Sequence, residues 1–229
     1  MFASEMVVAL SSGGNPQGFI EFLTEIYDRE LFEYRTKGRG VDVIQGPYIT
    51  LLGCMTPEQP DQMLKQSIIT GGFSRRCIFV YSTDRGAPVP RPTINPERAE
   101  AYKKCMEDCK VIRTRKGEFK TSEAADKFFD EWYCMNYEKR GQPLPAVLKN
   151  YLRSKDQLVW KVSMLIALSD NPKCQLVLEP HHIQRAIHLL DEIEPFITKV
   201  FEGTGRNILA DLAAKIATYL GQAPNWVPL

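Results

Sequence analysis

A chain of 229 residues, 44% of them hydrophobic, can bury one large core or two smaller ones. Its 29 Lys and Arg against 28 Asp and Glu exclude a global polyelectrolyte, so any grip on nucleic acid has to come from local basic clusters. No apolar stretch approaches the ~18 residues of a bilayer span, no basic-then-apolar signal opens the chain, and six Cys without paired spacing fit reduced cytosolic thiols.

The first ten residues read MFASEMVVAL. Met1 and Phe2 look like the tail of a hydrophobic strand, with Glu5 just past it. A carboxylate at a buried strand end needs a basic partner or a metal-bound water. Taken alone, the same residues fit more simply as a helix start, Ser4 capping and Glu5 in the first turn. SSGGNP at 11–16 is a loop. Over 17–28, Phe19, Ile20, Leu23, Ile26 and Tyr27 fall at helical spacing, which predicts an amphipathic helix.

Residues 31–45, LFEYRTKGRGVDVIQ, predict a hairpin. Phe32 and Tyr34 alternate with Glu33 and Arg35, and Val41 and Val43 flank Asp42. The turn spans 36–40, with two glycines able to take positive φ. Arg35, Lys37 and Arg39 sit at or near its tip. Such a tip is either merely solvated or a grip for backbone phosphates.

Residues 46–82 are the organising stretch. Two apolar runs, 48–54 and CIFVY at 77–81, do not alternate polar and apolar residues, so both are expected to be strands buried on two faces of a parallel sheet. A helix is expected between them over 57–69, with Pro57 near its start and Gly71-Gly72 past its end. Together they predict a βαβ unit, whose chemistry belongs at the carboxyl ends of strands. The first run leads to Thr56, and Ser74-Arg75-Arg76 precedes the second, two guanidinium groups suited to an anion.

The loop at 82–96 holds four prolines and is the expected domain boundary. Beyond it the periodicity is helical over 97–113, 121–138, 144–153, 155–168 and 181–201, with a brief extended piece at 176–178. Ala125, Phe128, Phe129, Trp132 and Tyr133 form a stripe that reads as core, not as a base-stacking platform. Leu148, Tyr151 and Leu152 are expected inward, as are Leu158, Val159, Val162, Leu165 and Ile166, and then Ile183, Ala186, Ile187 and Leu190. His181 and His182 are adjacent and expected to point in different directions, so no metal site is expected from them. Cys105 and Cys109 stand four apart on one predicted helix, without the short-loop knuckle of a zinc site. A last amphipathic helix is expected at 207–220, and the apolar residues at the end suggest a chain cut short.

Several blocks together resemble a known family. Phe2-Ala3-Ser4-Glu5, Phe22-Leu23-Thr24-Glu25-Ile26-Tyr27-Asp28, Leu51-Leu52-Gly53 through Thr56-Pro57-Glu58, and Gly71-Gly72-Phe73-Ser74-Arg75-Arg76 are similar to the carboxyl-terminal half of a P-loop family of phage, prophage and plasmid replication proteins. That family carries a domain of unassigned function and is similar to superfamily-3 and other AAA+ helicases. The resemblance runs over about 1–219, and the Thr-Pro-Glu and Gly-Phe-Ser-Arg blocks are its most specific parts. It implies that Glu5 is the Walker B carboxylate that orients the attacking water. Ser4 replaces the usual preceding acid, which counts against direct magnesium binding. Thr56, or Cys54 or Met55 beside it, would be the sensor. Arg75, with Arg76 as the alternative, would be an arginine finger, which stabilises charge on the transferring phosphoryl group. Arg35, Lys37 and Arg39 would form the DNA-gripping hairpin.

The implied fold is α/β followed by all-α. Residues 1–88 would be the Walker B to arginine-finger part of a parallel-sheet P-loop core, 89–203 a helical lid, and 204–229 the start of a winged-helix-like module. The implied partners are DNA, single-stranded, and further copies of the chain through the nucleotide-site interface. The implied setting is bacterial or phage cytoplasm. No Gly-x-x-x-x-Gly-Lys-[Ser/Thr] loop occurs in the chain. ATP and Mg²⁺ are therefore expected only in a complete protein, and no hydrolysis is expected from this chain alone. The alternatives are a non-catalytic DNA-binding or protein-interaction module of the same fold, or an α/β domain of unrelated chemistry.

Overall fold

The computed structural model describes residues 2–3, 16–27, 29–36, 40–54, 72–82, 86–91 and 95–200. They form a mixed α/β chain in which helices predominate and the parallel pairing is small. Ser74–Lys199 is one compact unit, and the described residues before Ser74 belong to another.

In the first unit, β1 (Phe2–Ala3) runs parallel to β4 (Leu52–Gly53), with Phe2 opposite Leu52 and Ala3 opposite Gly53. Parallel neighbours need a crossover between them. Here the intervening chain includes helix α1 (Pro16–Ile26) and the antiparallel pair β2 (Leu31–Thr36) and β3 (Gly40–Gln45). The apolar stripe of α1 buries Ile20 and Ile26, and Phe22 meets Phe32 of β2 edge-on at 5.3 Å. The hairpin is as expected from its alternation, registered from Leu31 opposite Gln45 to Thr36 opposite Gly40. Phe32 is the buried anchor among its described side chains, while all of β3 is exposed. Gly40 at φ 85° opens β3, and Gly46 at φ 55° closes it, donating its N–H to the Glu30 carbonyl at 2.7 Å.

The two doubly buried strands expected in 48–54 and 77–81 are not formed. In the first run only Leu52–Gly53 is strand, and Tyr48 is 98% exposed. The second run has no ladder partner among the described residues; Cys77, Phe79 and Tyr81 are half-buried while Ile78 and Val80 are exposed. A run of apolar residues sets how much surface seeks cover, but a strand also needs neighbours for its backbone groups. The helix expected at 57–69 lies outside the described residues, as do the segments after 200.

The second unit is built on helices α2 (Pro96–Thr114), α3 (Glu123–Arg140), α4 (Ala146–Leu152), α5 (Lys155–Asp170) and α6 (Pro180–Val200). It is not purely helical: β5 (Lys120–Thr121) runs parallel to β6 (Val177–Leu178). That pairing places the start of α3 beside the start of α6, and the Ser122 hydroxyl serves both. It accepts the Ala125 N–H as the α3 cap and donates to Glu179 at 2.9 Å. The core gathers Ala125, Tyr151, Leu152, Leu158, Val159, Ile183, Ala186, Leu190 and Ile197, nearly all at positions the helical period singles out. Leu165 departs from the expectation and is 66% exposed. This 16-residue helix buries a narrower stripe than its apolar residues would fill, and Ile166 and Ala167 lie within it. In the aromatic stripe of α3 only Ala125 is buried; Phe128, Phe129, Trp132 and Tyr133 are half-buried, with Phe129 4.2 Å from Trp160 of α5 between ring centroids. Pro195 lies inside α6; it has no N–H to give the carbonyl four residues earlier, at Asp191.

Candidate functional site

The residues the sequence singles out fall in three places. The last residues of the parallel pair are Ala3 and Gly53. Glu5 follows Ala3 by two positions and Thr56 follows Gly53 by three; both residues, and Met55, lie outside the described residues, and Cys54 is exposed. Between the paired strands in sequence stands the hairpin. Arg35 pairs through its backbone with Val41. The Arg35 side chain and residues Lys37 and Arg39 lie outside the described residues.

Arg75 and Arg76 belong to the second unit. They end a single 3₁₀ turn, Ser74–Arg76, which packs against α4 with Ser74 buried and both arginines half-buried. The next residue, Cys77, has its thiol pushed up to about 12 by burial, against the opposing pull of the Arg76 charge. The turn is thus a seated element whose two arginine side chains are both half-buried.

A further cluster has no counterpart among the residues the sequence singles out. Lys155, only 2% exposed, opens α5 and donates to Asp191 and Glu194 of α6, and Glu194 also accepts from Lys139 of α3. Its ammonium lies 5.9 Å from the ring centroid of Tyr151 on α4. The Tyr151 hydroxyl is raised far above its ordinary range, by burial first and then by Glu194 and Asp191. A buried ammonium is tolerated only when it is paired and hydrogen-bonded. The cluster therefore ties α3, α5 and α6 together through charge. One signal was legible in sequence: Glu194 falls on the stripe of Ile183, Ala186, Leu190 and Ile197, a carboxylate where the period asks for an apolar side chain. Nearby, Arg140 lies over Tyr133 at 5.4 Å and 3.7 Å from the Asp156 carboxylate, an ion pair too long for a hydrogen bond.

The histidine expectation needs correcting. The His181 and His182 rings do not diverge; their centroids are 3.9 Å apart. In the first turn of α6 no preceding turn restricts the side chains, so neighbouring rings can fold together. With Asp170 at the end of α5 they bring three ligand atoms within 4.8 Å of one another. The donors are already committed, however. Asp170 accepts from Arg185, and the Glu179 N–H donates to His182 Nδ1 at 3.0 Å. That bond leaves the neutral ring its proton on Nε2, whereas a metal-bound His normally donates from its second nitrogen. What the arrangement does is close the start of α6 by a side chain reaching back to the backbone. Burial, followed by the His181 charge, lowers the His182 pKa; Asp170 and Glu179 oppose the shift.

No family model, no curated protein and no solved structure matches this chain. Among the described residues, no helix is long and apolar enough to cross a membrane.

Proposed function

We propose that this chain carries the Walker B to arginine-finger portion of a DNA-replication ATPase of the phage or mobile-element helicase type, active only when a phosphate-binding loop is supplied. The observation that carries the reading is the parallel register of Ala3 with Gly53. It sets side by side the two strands after which the Walker B glutamate, Glu5, and the sensor, Thr56, follow in sequence. In parallel sheets reactive groups gather beyond the carboxyl ends of adjacent strands. The hairpin inserted between those strands supports the same reading, since it carries Arg35, Lys37 and Arg39 at its end, where cations meet phosphates. In this reading ATP and Mg²⁺ bind the completed site, single-stranded DNA contacts the hairpin, and copies of the chain associate through the nucleotide site, in a cytoplasmic setting.

The test joins the chain to its own upstream coding sequence and measures DNA-stimulated ATP hydrolysis. Turnover is expected, and Arg75→Ala is expected to lower it by ~10³ while nucleotide binding persists, the scale of arginine fingers elsewhere. A longer protein that hydrolyses no ATP with DNA present overturns the proposal. Unchanged turnover in Arg75→Ala removes Arg75 from the chemistry.

A second reading, a non-catalytic DNA-binding or protein-interaction module, is favoured by the seat of the Arg75–Arg76 turn against α4, which leaves both arginine side chains half-buried. Single-stranded DNA binding that weakens with salt and is lost in Lys37→Glu/Arg39→Glu, with no ATPase activity in the longer protein, is the outcome this reading expects.

A further inference from the structure

α2 is unlike the other helices of its unit. None of its 19 residues is buried. Its start is well made, with Pro96 in the first turn and Asn95 accepting the Glu97 N–H at 2.9 Å, so it holds its shape by local chemistry. Cys105 and Cys109 are both exposed on it and stand four positions apart, on one face of the helix. Cys77 and Cys174 are half-covered, and Cys54 and Cys134 are remote from the pair in sequence.

We propose that Cys105 and Cys109 form a two-thiol site that captures a thiophilic centre of low coordination number, with trivalent arsenic as its representative. The geometry selects this class. Side chains four apart on a helix have Cβ atoms about 5–6 Å apart, whereas a disulfide needs them at about 3.5–4.5 Å. Direct oxidation therefore requires the turn to unwind. One bridging atom, with bonds of about 2.3 Å to each sulfur as in metal thiolates, spans the gap while the helix stays intact. A structural zinc ion would ask for four ligands in a closed site, and an open helix face offers two. With an arsenical oxide the step balances without any redox partner. Each thiol gives up its proton, the oxide oxygen leaves as water, two As–S bonds form, and arsenic remains trivalent.

The experiment adds one equivalent of phenylarsine oxide to the reduced full chain and reads the adduct by intact mass under native conditions. One arsenical per chain is expected, with loss of water. Cys105→Ser and Cys109→Ser should each lose this uptake, and both substitutions lie on an exposed helix where folding is not at stake. Cys54→Ser/Cys134→Ser, which removes the other exposed thiols, should keep it. A small dithiol should strip the adduct where glutathione does not, the mark of two-point attachment. Full uptake by Cys105→Ser, or removal by glutathione as readily as by the dithiol, overturns the proposal.

Discussion

The buried Lys155 allows a prediction whose size follows from exposure. The Lys155 side chain is 2% exposed and that of Glu194 9%, while Asp191 and Lys139 are 52% and 43% exposed. Removing one partner of a buried pair costs about 3–5 kcal/mol, because the surviving charge stays buried. Glu194→Leu strands Lys155 with the half-solvated Asp191 as its remaining partner, so a loss near the lower limit, about 3 kcal/mol, is expected. Lys155→Met leaves Glu194 still paired with Lys139 and should cost less. The double variant leaves only Lys139 and Asp191 without partners, and exposed charges lose little by that, roughly 0–1 kcal/mol each. The double variant should therefore be more stable than Glu194→Leu alone by about 1–3 kcal/mol, and the coupling exceeds that difference by the cost of Lys155→Met. Urea denaturation of the full chain with unchanged m reads these values directly. A Glu194→Leu cost below about 1 kcal/mol, or single costs that simply add, would refute the claim that Lys155 needs Glu194.

Two smaller predictions concern the junction of α3 and α6. The folded His182 pKa lies below the ordinary value of about 6.5. The unfolded chain therefore takes up the proton first, so the contribution of His182 is complete above that value and is lost as pH falls through the lowered folded one. A urea midpoint that declines over this window, and declines less in His182→Gln, is expected, since Gln still accepts the Glu179 N–H; a pH dependence identical in the two proteins would count against it. Ser122→Ala deletes both the α3 cap and the bond to Glu179, and a loss of about 1–2 kcal/mol in the same assay is expected. A loss within a few tenths of a kcal/mol would mean that water replaces both bonds.

Much of the local architecture could be read from the residues alone. α1, the hairpin and the helices of the second unit follow patterns of period 3.6 or 2 in the residues themselves. These are short-range effects, written in neighbours three or four positions apart. The Cys105–Cys109 pair is of the same kind, visible from spacing and needing only the exposure of α2 to become a site.

What the tertiary structure alone decided is which apolar runs obtain partners. Residues 48–54 and 77–81 have the composition of doubly covered strands, yet one contributes two residues to a ladder and the other contributes none among those described. Strand status depends on backbone groups supplied from elsewhere in the chain, and composition does not carry that information. The same holds for Lys155: nothing around it in sequence announces a buried ammonium, and its partners lie 36 and 39 positions away. The register of Ala3 with Gly53, on which the functional proposal rests, is likewise a contact between distant segments, which no local pattern specifies.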